Sequence, residues 1–180
     1  AEDPVEFNFD GINQVAIKSD IGFTFATCLR SFLRQDPDVI MVGEIRDGET
    51  ADIAIRAALT GHLVFSTVHT NDAASTINRL VDIGVPGYLV ASAVRLIMAQ
   101  RMVRKICNFC KDEVEVRPET LLRLGVPENE IKDFKVYQGK GCQECNNTGF
   151  SGRTGLFEIM PITPDIEKMI LEGKSSQEIK

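Results

Sequence analysis

Four of the five cysteines fall into two Cys-x-x-Cys pairs, Cys107 with Cys110 and Cys142 with Cys145, separated by 31 residues. A Cys-x-x-Cys turn points both sulfurs the same way, so the two pairs together can offer four thiolates to one tetrahedral ion. Disulfides and an iron–sulfur cluster draw on the same residues and stand as alternatives. Ligation by sulfur alone leaves no position for water, which favours a structural zinc. Lys105 and Lys111 flank the first pair and Lys140 precedes the second, and their charge is expected to favour thiolate over thiol. Cys28 lies within an apolar helical pattern and reads as core packing.

A second constellation is acidic and imidazole-bearing. The apolar run Val39-Ile40-Met41-Val42 ends at Gly43-Glu44. A carboxylate closing a buried strand is the layout by which nucleotide-hydrolysing domains hold magnesium and align water. The aspartate usual at that point is replaced by Gly43, so Glu44 is expected to position or activate water rather than ligate magnesium directly. The same Glu44 could equally form a surface ion pair with Arg46. His62 and His69 are the only histidines, and both lie in the run Thr60 to Thr70. An imidazole beside a nucleotide can hydrogen-bond its terminal phosphate or sense its loss. Glu2, Asp3 and Glu6 form a third acidic group, which on its own reads as an exposed turn.

These residues need a scaffold. Gln14 to Ile17 alternates as a short strand, and Phe25, Leu29, Phe32 and Leu33 recur at helical spacing until Asp36-Pro37-Asp38. After the strand 39–42, Glu49 to Thr60 predicts a helix capped by Gly61, and His62 to His69 a second buried strand. Asn71 or Asp72 caps a helix ending at Gly84, and Pro86 opens a long helix to about Lys105. Strands alternating with helices imply an α/β fold, with a parallel sheet covered on both faces. In such sheets the chemistry gathers at the carboxyl ends of the strands, where Glu44 and His69 are both expected. Residues 1–105 therefore read as the core, 106–155 as a tetracysteine module held by its metal, and 156–180 as a short helical segment.

Composition narrows the function further. Residues 1–100 carry 7 basic and 13 acidic side chains, and residues 101–180 carry 13 of each, so neither half presents a field for phosphate backbones. Nucleic acid is not expected as a partner. The apolar stretch from Tyr88 to Val94 stops at Arg95, short of the roughly 20 residues that span a bilayer. The start Ala1-Glu2-Asp3-Pro4 is acidic and does not resemble a signal peptide, and Ala1 is not expected to be the native first residue.

Taken together, the motifs resemble those of the type II secretion and type IV pilus-assembly ATPase family. Glu2-Asp3-Pro4-Val5-Glu6 is similar to its aspartate box. Leu33 to Asp38, followed by Val42-Gly43-Glu44-Ile45-Arg46-Asp47, is similar to its Walker B segment. Thr60-Gly61-His62 through His69-Thr70 is similar to its histidine box. The four paired cysteines and Gly152-Arg153-Thr154-Gly155-Leu156-Phe157-Glu158 are similar to its metal-binding insertion.

The resemblance implies the carboxyl half of a RecA-like ATPase core. It makes Glu44 catalytic, with Glu6 or Glu2 assisting, and His69 facing the terminal phosphate. Asp3, Arg46, His62 and Thr70 would lie near the nucleotide, with His62 supporting the local strand. It further implies zinc at the cysteines, magnesium and ATP in the full-length protein, and a homo-hexamer at the cytoplasmic side of the inner membrane. There it would drive a membrane platform protein and its accessory proteins. The tetracysteine module is typical of assembly and secretion members rather than retraction motors. No Gly-x-x-x-x-Gly-Lys-[Ser/Thr] loop occurs in these residues. The 180-residue chain alone is therefore expected to hydrolyse ATP negligibly. The rival reading is a zinc-ribbon scaffold, or a module binding nucleic acid or protein, without catalysis.

Overall fold

The computed structural model describes residues 1–180, which divide into two compact units. One comprises Ala1–Ala99 with Glu158–Lys180, and the other Gln100–Phe157.

The first unit is built on burial. Its first helix, α1 (Phe25–Phe32), opens at a capping box in which Thr24 and Thr27 exchange side-chain and backbone hydrogen bonds. It turns Cys28 and Leu29 fully inward, at 1% and 0% exposure. Asp36, with φ at +50°, and Pro37 then stop the helical run. Strand β1 (Val39–Val42) follows, then α2 (Gly48–Leu59), whose N-cap Asp47 accepts from the Thr50 amide at 2.8 Å. Strand β2 (Leu63–Ser66) pairs in parallel with β1, in register from Val39↔Leu63 to Val42↔Ser66. The period of two sends Ile40 and Val42 into the core, while Val39, Met41, Leu63 and Phe65 stand about half exposed on the opposite face. Helices α3 (Ala73–Asp82) and α4 (Gly87–Ala93) complete the layer with two helices from the far end of the chain. One core cluster takes residues from both stretches, among them Leu29, Ile40, Val42, Ile77, Val90 and Ile170.

The structure departs from the sequence reading after Pro86. The helix expected to reach Lys105 ends at Ala93, Val94 is already extended, and β3 runs from Leu96 to Ile106. Its partner is β6 (Phe150–Pro161), a strand spanning the end of the expected metal-held module and the start of the expected helical segment. The apolar residues of 96–106 suit either period, so pairing with a strand more than forty residues downstream decides the outcome. Strand β2 is likewise shorter than the expected run from His62 to His69.

The second unit contains an antiparallel pair, β4 (Lys111–Val114) with β5 (Val136–Gly139), and a short helix α5 (Pro118–Arg123). Its buried apolar side chains are Cys107, Leu121 and Cys145. After β6 the chain returns to the first unit as α6 (Pro164–Leu171), capped by Thr163, and α7 (Ser176–Ile179).

Candidate functional site

The carboxyl ends of β1 and β2 stay in step beyond the strands themselves. The Ile45 amide donates to the Thr67 carbonyl at 3.0 Å, and the Thr67 hydroxyl donates to the Gly43 carbonyl. This bracing sets Glu44 and His69 side by side, with His69 Nε2 at 3.3 Å from Glu44 Oε2. Glu44 is 8% exposed, one of two buried polar residues, whereas the His69 side chain is 87% exposed. Arg46 Nε donates to the same Oε2 at 2.5 Å, so the ion pair suggested by spacing is present alongside the imidazole. The Glu44 carboxylate raises the Arg46 guanidinium pKa, and Asp3 adds to that rise through space.

The other acidic residues approach from the amino end. The amino group of Ala1 donates to the Met41 carbonyl and the Gly43 amide to the Ala1 carbonyl, each at 2.8 Å, which lays the first residue along the edge of β1. A side chain at Gly43 would meet that carbonyl at 3.1 Å, so the close approach favours glycine there. Glu2 bridges to Ala16 and accepts from Gln14 Nε2 at 3.0 Å, so its carboxylate is engaged locally. Asp3 and Glu6 are exposed.

The two histidines part company. His62 precedes β2, and His69 follows its far end. His62 Nδ1 donates to the Ala57 carbonyl at 2.9 Å, closing the carboxyl end of α2. It makes no contact with Glu44 or His69 among its bonds. Seven residues apart in an extended run, the two rings lie towards opposite ends of it. Thr70 serves the start of α3, its hydroxyl bonding Thr76 Oγ1 at 2.8 Å and the Asp72 carbonyl at 3.2 Å.

In the second unit the four paired cysteines converge, with all four sulfurs within 4.8 Å of one another. The Cys107–Cys142, Cys110–Cys145 and Cys142–Cys145 separations are 3.9, 3.8 and 3.7 Å. A tetrahedral ion with bonds of about 2.3 Å spaces its sulfurs by roughly 3.8 Å. The donor set therefore fits a single four-coordinate ion. The separations are far too long for disulfides and all four thiols are free. They are also too short for thiolates carried on different irons of a cluster.

Burial first, and then backbone amides and neighbouring thiols, shift Cys110, Cys142 and Cys145, with no lysine among the causes. Burial pushes Cys110 up to about 11 and raises Cys142. Burial acts on Cys145 in the same sense, but the amides of Cys142 and Gly149, both 3.3 Å from its sulfur, and the neighbouring thiols bring it down to about 6. Lys140 instead pairs with Asp112 at 2.6 Å, and Lys111 lies over the Tyr137 ring. The donors were invisible in the spacing, because they depend on left-handed turns at Asn146, Asn147 and Gly149. There the Gly139 and Gly149 backbones meet so closely that a Cβ on Gly139 would sit 2.0 Å from the Gly149 carbonyl oxygen.

Compared with known proteins, the whole chain, residues 1–180, matches the family model for type II/IV secretion system proteins. The chain belongs to that family. It is 51% identical, over all of its length and 32% of the relative's, to the type IV pilus assembly ATPase PilB of Myxococcus xanthus strain DK1622. It is 44% identical, over 99% of its length and 34% of the relative's, to the type II secretion system protein HxcR of Pseudomonas aeruginosa strain PAO1. Among solved structures, the pilus retraction motor PilT with bound ADP superposes with a TM-score of 0.65 at 31% identity, over 98% of this chain and 42% of that one. The chain thus spans about a third of the length of the curated relatives it matches.

Proposed function

We propose that this chain is part of an ATP-hydrolysing motor subunit that powers type IV pilus assembly. The observation that carries the reading is the buried Glu44 carboxylate, held at the ends of two parallel strands against His69 and Arg46. Four PilB relatives are 50–55% identical to this chain, against 42–44% for four type II secretion relatives, which favours assembly over secretion. The parallel pair is read as part of a RecA-like sheet, and the phosphate-binding loop as lying outside these residues.

Within this reading both contacts fall on Glu44 Oε2, and neither uses Oε1. Oε1 then accepts a proton from the attacking water, while Arg46 and His69 hold the carboxylate oriented through Oε2. The exposed His69 ring faces the terminal phosphate. Asp3 extends the acidic edge, Glu2 or Glu6 assists from it, and Thr70 supports the turn after His69. Magnesium accompanies ATP as substrate. Zinc at Cys107, Cys110, Cys142 and Cys145 cross-links the two halves of the second unit. The motor is a homo-hexamer on the cytoplasmic face of the inner membrane, acting on a platform protein there. No helix here is long and apolar enough to cross a membrane.

In the purified full-length protein, Glu44→Gln is expected to lower kcat for ATP hydrolysis by roughly 10²–10⁴-fold with nucleotide binding retained. Wild-type turnover in that variant would overturn the assignment. The 180-residue chain alone is expected to show negligible hydrolysis, and robust turnover would show that the phosphate site lies within it. Light scattering on the full-length protein tests the hexamer. Restoring pili to a strain lacking its assembly motor, rather than secretion to one lacking its secretion motor, separates the two pathways.

A further inference from the structure

The His69 loop is anchored from an unexpected direction. Four residues after His69, Ala73 begins α3, and its amide is the first of the helix's unpaired N–H groups. The N-cap Asp72 cannot satisfy it, since that side chain turns inward to the Ser75 amide at 2.8 Å. The partner comes from 85 residues downstream: Glu158 Oε2, on β6, accepts from the Ala73 amide at 3.0 Å. Ala73 and Ala74 are fully buried, so this end of the helix has no water to turn to. Glu158 itself is an exposed residue, so burial does not force it into the contact. Its charge meets the positive end of the α3 dipole. Lys180 Nζ, 2.7 Å from Asp72 Oδ2, completes a charged bracket around the helix start.

We infer that Glu158 is a positioning residue for His69: by holding the Ala73 amide it sets where the preceding turn delivers the imidazole against Glu44. The inference rests on the proposed nucleotide-hydrolysing role of that pair. Removing the carboxylate frees a buried amide four residues from the ring, and the turn of His69 to Asp72 shifts to find it a partner. A shift of about 1 Å at a reacting group is enough to cost up to roughly a hundredfold in rate.

The test uses the full-length protein and three variants. Glu158→Ala is expected to lower kcat for ATP between about tenfold and a hundredfold, with KM changed less than twofold, and to speed hydrogen exchange at the Ala73 amide. Glu158→Gln keeps a carbonyl oxygen for that amide and is expected to restore most of kcat and the exchange protection. Glu158→Asp, one methylene too short, should behave like the alanine variant. Wild-type kcat in Glu158→Ala overturns the inference. So does a loss with protection falling throughout the first unit, or a glutamine variant as poor as alanine, since each marks a merely structural role or none. Should wild type hydrolyse no ATP, or Glu44→Gln keep full activity, the hydrolytic reading itself fails. Ala73 exchange in the Glu158 variants then decides whether the anchor exists independently of it.

Discussion

The two units of this chain reach a stable arrangement by different physical means. In the first, eighteen buried apolar residues form a single cluster, and the proposed catalytic pair Glu44 and His69 lies beyond the strand ends it holds. In the second, the buried apolar side chains are one leucine and two of the cysteines themselves. A core of that size cannot offset the entropy of ordering nearly sixty residues, and the ion proposed at the four cysteines would carry the difference. Each unit places a functional group accordingly. Glu44 is buried by packing, whereas the thiols are drawn together by turns whose backbone amides point at sulfur.

The comparison can be broken most decisively by removing metal. Stripping the proposed zinc with a strong chelator, or substituting Cys145→Ser, is expected to abolish the ordered fold of Gln100–Phe157, because structural zinc supplies about 10–16 kcal/mol of apparent binding energy in small domains. Amide exchange should collapse across β4 and β5 while α1, α2 and β1 stay protected. Equal protection in both units after chelation would show that burial alone holds the second.

The reciprocal experiment acts on the core. Leu29, with no exposed surface, leaves a cavity when replaced by alanine. Leu29→Ala is expected to cost about 2–5 kcal/mol of the first unit's stability in denaturant unfolding. Metal stoichiometry should remain one ion per chain, and a loss of bound metal would mean that the units do not stand apart in this way.

A finer probe enters the second unit without touching a ligand. Gly139→Ala puts a methyl into the Gly149 carbonyl and should cost about 1–3 kcal/mol through overpacking. It also tilts the Gly149 amide away from Cys145, so the loss is expected to appear as weaker metal binding in a competition titration. Unchanged affinity would show that the close approach does not orient that donor.

The smallest effect concerns acid. The Lys180 ammonium, followed by the Ser75 amide, holds Asp72 down to about 2, and the Ser175 amide and hydroxyl hold Glu178 at about 2. Both values lie below those of an unfolded chain, so the stability these groups lend is present above about pH 4 and is lost as pH falls towards 2. Asp72 is partly buried and Glu178 half exposed, so both still meet solvent and screening keeps the effect small. A carboxyl carbon NMR titration checks it: Lys180→Met should move the Asp72 midpoint up towards 3.8.

Much of this was readable before any coordinates. The four cysteines, the short strand ending at Gly43-Glu44, the stop at Asp36-Pro37 and a cap at Asn71 or Asp72 all come from residue types acting on neighbours within about four positions. Sterics, capping and chelating turns are local, and local physics is legible in sequence. Only tertiary structure decided the rest. Whether 96–106 became helix or strand depended on β6, which satisfies its backbone hydrogen bonds from far along the chain. That β2 stops at Ser66 instead of running on to His69 depended on where its pairing with β1 ended. Glu158 reached Ala73 across 85 residues, and no periodicity records such a meeting. Long-range pairing is chosen by the free energy of the whole assembly, so it becomes visible only when the partners are in place.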